Sequence, residues 1–342
     1  MSDREQLKHS DVFGGPVFLV GLPRSGTKLL RELLNNHSQV AITPQESNCI
    51  PHFYHNRAKY GDLKEDAAFD RFYFDFSRTH FFRSLDEGSG YVTREAWYAQ
   101  VTHWSYGGVI EAFYRSHSRY LNKRIWGDKT PSYLVQVPLL KMLFPTARFI
   151  HIVRDVRDQS LSLHESRQKN IFTSAQRWND AIMKFREDAR AHARGDCLEI
   201  RYERLTDFTE ETMRSVCDFL EVPFEREVTE LNKRLEPIAG AGMHTTEIVK
   251  KNYGKWRHKL PARDVVKIEK LCGMLLAELG YPTSYNGTPK RLNKFEVVLY
   301  NVLDAAHSLA YEIRHRGLRQ GVLCFVQLRK KGWYYQTPVN IP

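Results

Sequence analysis

Long apolar runs are missing from this 342-residue chain: no segment approaches the roughly 18 uninterrupted apolar residues of a membrane-spanning helix. The opening stretch MSDREQLKHSD is polar and carries no hydrophobic signal core, so export by that route is not expected. Cysteine is scarce as well. Cys49, Cys197, Cys217, Cys272 and Cys324 are scattered, odd in number and without a C-x-x-C pair, which fits reduced thiols and argues against a disulfide framework or a cysteine zinc site. Nor do the basic residues gather into a nucleic-acid-binding motif, so no nucleic-acid partner is expected.

What is present is material for a sizeable core and an excess of positive charge. Hydrophobic residues make up 42% of the chain, enough for one large or two ordinary domains. The 51 Lys and Arg outnumber 40 Asp and Glu, and the resulting +11 points to an anionic partner without naming it. Short apolar runs alternate with helical patterns. Val17–Gly21 reads as a buried strand, with a helix over Thr27–Asn36, and Gln39–Thr43 as a second short strand. Arg148–Arg154 (RFIHIVR) reads as a strand with a helix to about Ser166 after it. Cys197–Tyr202 (CLEIRY) is another, followed by a helix over Thr206–Leu220 with Met213, Val216, Phe219 and Leu220 at helical spacing. This alternation predicts an α/β fold, a parallel sheet flanked by helices, with ligands at the carboxyl ends of the strands.

At one such end stands GLPRSGTKLL, Gly21 to Leu30. Gly21 and Gly26 permit a tight turn, and the helix opening at Thr27 leaves several amide N–H groups pointing one way, which makes an anion site. Arg24 and Lys28 sit at the positive end of that helix dipole, where each costs about 0.3–1 kcal/mol unless an anion is bound. A Walker A loop reads G-x-x-x-x-G-K-S/T, whereas here Thr27 separates Gly26 from Lys28. A matching acidic strand end for magnesium is also lacking, since Asp155 is flanked by Arg154 and Arg157. A metal-dependent nucleotide hydrolase is therefore disfavoured.

The PRSGT segment after a strand resembles the 5′-phosphosulfate-binding loop of sulfotransferases, which use 3′-phosphoadenosine 5′-phosphosulfate (PAPS); it is most similar to the tyrosylprotein and bacterial branches. RFIHIVRDVRDQSLSLHES has Arg154 at a strand end and Ser162 eight residues on, the family's spacing for the pair that binds the 3′-phosphate. A forked guanidinium and a hydroxyl suit phosphate oxygens. WGDKTPSYL places Lys129 in a K-T-P segment, IRYERL resembles the Y-E-x-L segment with Tyr202, and TTEIVKKNYGKWRHKLP resembles the late loop closing over the nucleotide. The resemblance runs from Val17 to about Pro282 and departs from the family where Lys28 replaces its second Thr. It implies a P-loop-like core and PAPS as co-substrate, with no metal. The implied binding set is Arg24, Ser25, Gly26, Thr27, Lys28, Arg154, Ser162, Tyr202, Lys250 and Lys255.

Sulfuryl transfer needs in-line attack, charge stabilisation and removal of the acceptor proton. Arg24 and Lys129 are the candidates for stabilisation. Glu46 in TPQESNC, twenty residues after Gly26, corresponds to the glutamate base of the tyrosylprotein enzymes, with His52 and His55 as the alternatives. The acceptor, a hydroxyl or amine, is expected on a carbohydrate, glycolipid or small metabolite, with phenol and peptide also open. Residues 71–126 hold 15 of the 42 aromatics; most should be core, and some could line an acceptor cleft.

The chain thus reads as a sulfotransferase domain over 1–285, with a helical aromatic-rich insertion at about 50–125, and a basic extension over 286–342. In that extension Phe295, Val298, Leu299, Val302, Leu309 and Ile313 mark one helix face, and the short run Val322–Val326 precedes three basic residues. A helix packed on the domain with a solvated basic face is the favoured account; docking on an anionic membrane is the sharper one. The expected location is cytoplasmic, with or without membrane association. Two other classes stay open, a P-loop kinase or nucleotide hydrolase and a non-catalytic polyanion-binding protein.

Overall fold

Four consecutive apolar residues, Val17–Val20, form β1 at the centre of a parallel sheet, and all four are fully buried. Phe18 and Val20 enter the core on one face, Val17 and Leu19 that on the other, as expected of a strand covered on both sides. The computed structural model describes residues 13–85, 92–231 and 247–334, with side chains as far as 326. The polar opening, the first two residues of the late loop (245–246) and the final residues from 335 lie outside the described residues.

The sheet adds β2 (Val40–Ile42), β3 (Ile125–Lys129), β4 (Arg148–Val153) and β5 (Cys197–Arg201), in the order β2-β3-β1-β4-β5. Every pairing is parallel, with Val17 opposite both Gly127 and Arg148. The predicted α/β sheet is therefore observed. Four of its strands were legible as apolar runs; β3 was not, because IWGDK ends in glycine and two charges. It is nonetheless buried at all five positions. A side chain at Gly127 would bring its Cβ within 2.4 Å of the Val17 carbonyl oxygen, so glycine permits the close pairing with β1.

Helix α1 (Thr27–Asn35) follows β1, α2 (Val156–Arg167) follows β4, and α3 (Ile171–His192) packs against α2. The helix expected over Thr206–Leu220 is two, Tyr202–Asp207 and Thr209–Leu220, because Phe208 leaves helical geometry at φ −126° and ψ 54°. The described residues between β2 and β3 are mainly helical. The aromatics among them are mainly core: Phe72, Phe76, Phe82 and Trp97 are buried, with Trp97 4.9 Å from both Phe76 and Phe113, while Tyr98 and Trp104 pack at the margin. All five cysteines are unpaired.

The last described residues form two long helices, α4 (Lys294–Arg316) and α5 (Leu318–Tyr334). Helix α4 rests on the domain through half-buried Val297 and Tyr300, as the favoured account has it, but the apolar stripe is exposed at Phe295, Val298, Leu299 and Val302. No residue of α4 is buried, and the run Val322–Val326 is part of α5 rather than a separate element. Among the described residues no helix is long and apolar enough to cross a membrane.

Candidate functional site at the carboxyl ends of β1, β3 and β4

The strand order reverses beside β1, since the chain builds β2 and β3 to one side of it and β4 and β5 to the other. A crevice at the carboxyl ends follows from that topology. The β1–α1 loop enters it. Gly26 caps α1 with φ +100°, and a Cβ there would stand 2.4 Å from the Tyr202 ring. Arg24, at φ +75°, also adopts the left-handed region, which is uncommon away from glycine and marks a loop shaped by its surroundings. No side chain caps α1 and no acid lies in its first turn, so Ser25 and Thr27, both buried, lie at an electropositive helix end.

Arg24, Arg154, Ser162 and Tyr202 converge there. Arg24 Nε donates to Ser162 Oγ at 2.9 Å. Arg154, 8% exposed, donates to the Arg24 carbonyl at 3.1 Å and the Asn252 carbonyl at 2.9 Å. Its guanidinium lies 4.5 Å from the centre of the Tyr202 ring, whose hydroxyl accepts from Asn252 Nδ2 at 3.1 Å. Two donors in this cluster, Arg24 Nη1 and Arg154 Nε, are buried and have no hydrogen-bond partner among the described residues. Burial pushes the Arg24 guanidinium below its usual value, and Arg154 and Arg167 add to the effect. Unsatisfied buried donors on mutually repelling cations fit an anion, which would relieve both costs.

Lys129, at the end of β3, is 1% exposed and donates to Glu46 Oε1 at 2.7 Å. Burial lowers its pKa even against the attraction of Glu46, with Arg31 and Lys28 contributing further. Glu46 itself is 42% exposed, so the pair has one end in the interior and one at the surface. The neighbouring residues on both segments, Asp128 and Ser47, are tied to each other. Asp128 is fully buried, and its carboxylate accepts from Tyr114 at 2.5 Å, Thr130 at 2.7 Å and Ser47. Ser47 in turn meets Tyr133 at 2.8 Å, and its N–H donates to Thr130 Oγ1 at 3.0 Å. Burial raises the Asp128 carboxyl, opposed by those donors.

The late loop reaches the site through residues other than those expected. Lys250 and Lys255 are exposed; Lys250 lines a separate open cavity of about 710 Å³ with Asp207, Glu210, Glu211, Glu230 and Glu247. Asn252 supplies the contact with Arg154 instead. The loop is held by Asp158, which is 2% exposed and accepts from the backbone N–H of Gly254 at 2.5 Å and Trp256 at 3.1 Å. Arg157 lies 3.9 Å over the Trp256 ring and pairs with Asp155 and Glu269, both at 2.7 Å. Asp155 also caps α2. Of the alternative bases, His52 packs edge-on to Phe53 at 5.2 Å and is pushed below the usual imidazole range, first by burial, while His55 is exposed. Among the described residues no cluster of His, Cys, Asp and Glu is arranged to hold a metal ion.

The chain has relatives of known family. Residues 16–226 match the profile of the sulfotransferase family, well over half the chain, and the chain belongs to that family. A protein-tyrosine sulfotransferase of Drosophila melanogaster is 25% identical over 284 residues, covering 78% of this chain and 51% of the fly protein. Protein-tyrosine sulfotransferase 1 of Danio rerio is 25% identical over 79% of this chain and 73% of its own length. An uncharacterised Aquifex aeolicus protein is 26% identical over 71% of this chain. The chain thus spans about half the length of the fly relative and 30% of the Aquifex one. In fold it is similar to the sulfotransferase domain of the Synechococcus PCC 7002 olefin synthase, with TM-score 0.54 at 23% identity over 80% of this chain and 98% of that one. The sulfotransferase domain of the curacin biosynthetic pathway gives 0.53 at 18% identity over 80% of this chain and 99% of that one.

Proposed function

We propose that the protein transfers a sulfuryl group from PAPS to an acceptor hydroxyl. The observation that carries this reading is the pair of buried, partnerless guanidinium donors on Arg24 and Arg154 beside an uncapped helix N-terminus. PAPS supplies the sulfuryl group and leaves as a stable phosphate anion. The backbone of Arg24–Lys28 grips the 5′-phosphosulfate, and Arg154 with Ser162 fixes the 3′-phosphate. Tyr202 backs Arg154, and Lys250 and Lys255 give way to Asn252 as the late loop's contribution. Arg24 and Lys129 face the charge that develops on the sulfonyl oxygens. Glu46, 2.7 Å from Lys129, takes the acceptor proton as the acceptor oxygen bonds to sulfur and the sulfur–phosphate oxygen bond breaks.

The names of the fly and zebrafish relatives favour a tyrosine phenol as acceptor. Nothing among the described residues selects the carbohydrate, glycolipid or small metabolite expected from the sequence. The test is transfer from radiosulfur-labelled PAPS in EDTA to a panel containing a tyrosine peptide, a simple phenol, an oligosaccharide and a glycolipid. Labelled tyrosine is the expected product, and Glu46→Gln should slow it by about 10²–10⁴. Full turnover by Glu46→Gln would remove the base. If no acceptor were labelled and PAPS did not bind, while ATP was cleaved with magnesium, the kinase or hydrolase reading would replace this one.

A further inference from the structure

The helices α4 and α5 pack on each other as a hairpin. Gly317 turns the chain with φ +75°, and Gly321 lets α5 lie against α4, where a Cβ would come within 2.7 Å of the Glu312–Ile313 backbone. One face of α4 is tied to the body. Glu296 pairs with Lys267 at 2.7 Å, Tyr300 packs on Phe172 at 5.8 Å, and Asp304 accepts from the Asn170 N–H at 2.7 Å. These residues recur every fourth position, which fixes the attached face.

Among the described residues the opposite face of α4 is apolar and exposed, and α5 adds exposed apolar residues of its own. Phe295, Val298 and Val302 are 75%, 61% and 59% exposed, and Leu318 and Leu323 on α5 are 71% and 56% exposed. Ten of the nineteen exposed large hydrophobic residues among those described lie between Phe295 and Val326. Such clustering is not the single scattered exposure that needs no explanation. Charge narrows what can cover it. Residues 294–334 carry seven Lys and Arg against three Asp and Glu. Glu296 and Asp304 face the body, and Glu312 pairs with Arg316 on its own helix. Arg314, Arg316 and Arg319 gather at the hairpin tip beside Leu318.

We infer that this hairpin docks on an anionic membrane surface, its apolar face in the headgroup–acyl boundary and its basic tip on the lipid headgroups. A second copy of the chain is the poorer occupant, because two hairpins of the same positive sign repel where an anionic bilayer attracts. The hairpin lies on the membrane and does not cross it.

The test uses the full chain in flotation with vesicles of phosphatidylcholine, with and without phosphatidylserine. Binding should require phosphatidylserine and weaken as salt rises. Phe295→Ser with Val302→Ser should lower the partition coefficient by about tenfold or more. Replacing Arg314 and Arg319 with Gln should lower it by about fivefold per residue. All four positions are exposed, so unchanged thermal melting separates lost docking from lost folding. Two results overturn the proposal: no preference for phosphatidylserine, or a concentration-dependent dimer that the Phe295/Val302 variant converts to monomer without any vesicle binding.

Discussion

Arg154→Ala tests the nucleotide site most directly, because it needs no acceptor. The substitution removes a guanidinium that bridges the Arg24 and Asn252 carbonyls and holds one buried nitrogen without a partner. A charge-assisted bond to a phosphate oxygen contributes about 1.5–3 kcal/mol, and slackening of the two bridged loops adds to that. The expected loss in affinity for 3′-phosphoadenosine 5′-phosphate is therefore about 2–4 kcal/mol, or roughly 30- to 700-fold in Kd. The assay is calorimetric titration in EDTA, with adenosine 5′-phosphate as the ligand lacking the 3′-phosphate. Arg154→Ala should weaken the first ligand far more than the second, so the two losses form a cycle that isolates the 3′-phosphate. Arg154→Lys should fall between, since a lysine restores charge without the fork that spans two carbonyls. If Arg154→Ala melted normally and bound the bisphosphate within about threefold of wild type, the assignment of Arg154 would be refuted.

Three further outcomes follow from the same geometry. Lys129 has a folded-state pKa below that of the unfolded chain, so activity should lose its alkaline limb below the ordinary lysine value of about 10.4, and Lys129→Arg should move that limb upward. Between those two pKa values the unfolded state binds more protons, so Lys129's contribution makes stability rise with pH there; pH-dependent melting of wild type against Lys129→Met checks the sign. Gly26→Ala should destabilise by about 2–4 kcal/mol in denaturant melts, because it combines φ +100° with a Cβ 2.4 Å from the Tyr202 ring; a neutral effect would mean that the loop is not held as described. Asp158→Ala should speed hydrogen exchange at the Gly254 and Trp256 amides and weaken nucleotide binding by about tenfold, whereas unchanged protection would show that the late loop is fastened elsewhere.

How far the sequence revealed this site depends on whether a residue's neighbours are local. The β1–α1 loop and Arg154 were legible because each closes an apolar strand and opens a helix, a pattern contained in some twenty residues. Lys129 was placed by its K-T-P context, although β3 escaped notice because a strand ending in Gly-Asp-Lys has no apolar periodicity. Asn252 and Asp158 carried no usable signal. Asn252 meets Arg154 through its carbonyl, which every residue has, and Tyr202 through its amide 50 residues away, and Asp158 acts on amides 96 and 98 residues away. The tail's helical spacing was legible, but its apolar stripe turns outward; what one sequence could not supply was the side on which the body lies. That side is set by Lys267, Phe172 and Asn170, all distant in the chain.

The buried knot around Asp128 has a consequence for how such a protein diversifies. Ser47 stands where the chain leaves the sheet for the aromatic helices, and Asp128 and Thr130 stand where it has returned. Both ends of that helical excursion are therefore lashed to one point, next in the chain to Lys129 and Glu46. The helices between form the part open to rebuilding, like a tool head on a fixed shank, provided Asp128 keeps the donor that Tyr114 supplies. Under the proposed function, a chimera joined within 48–52 and 121–124 whose graft keeps a tyrosine at the place of Tyr114 should retain nucleotide binding and take its acceptor preference from the graft.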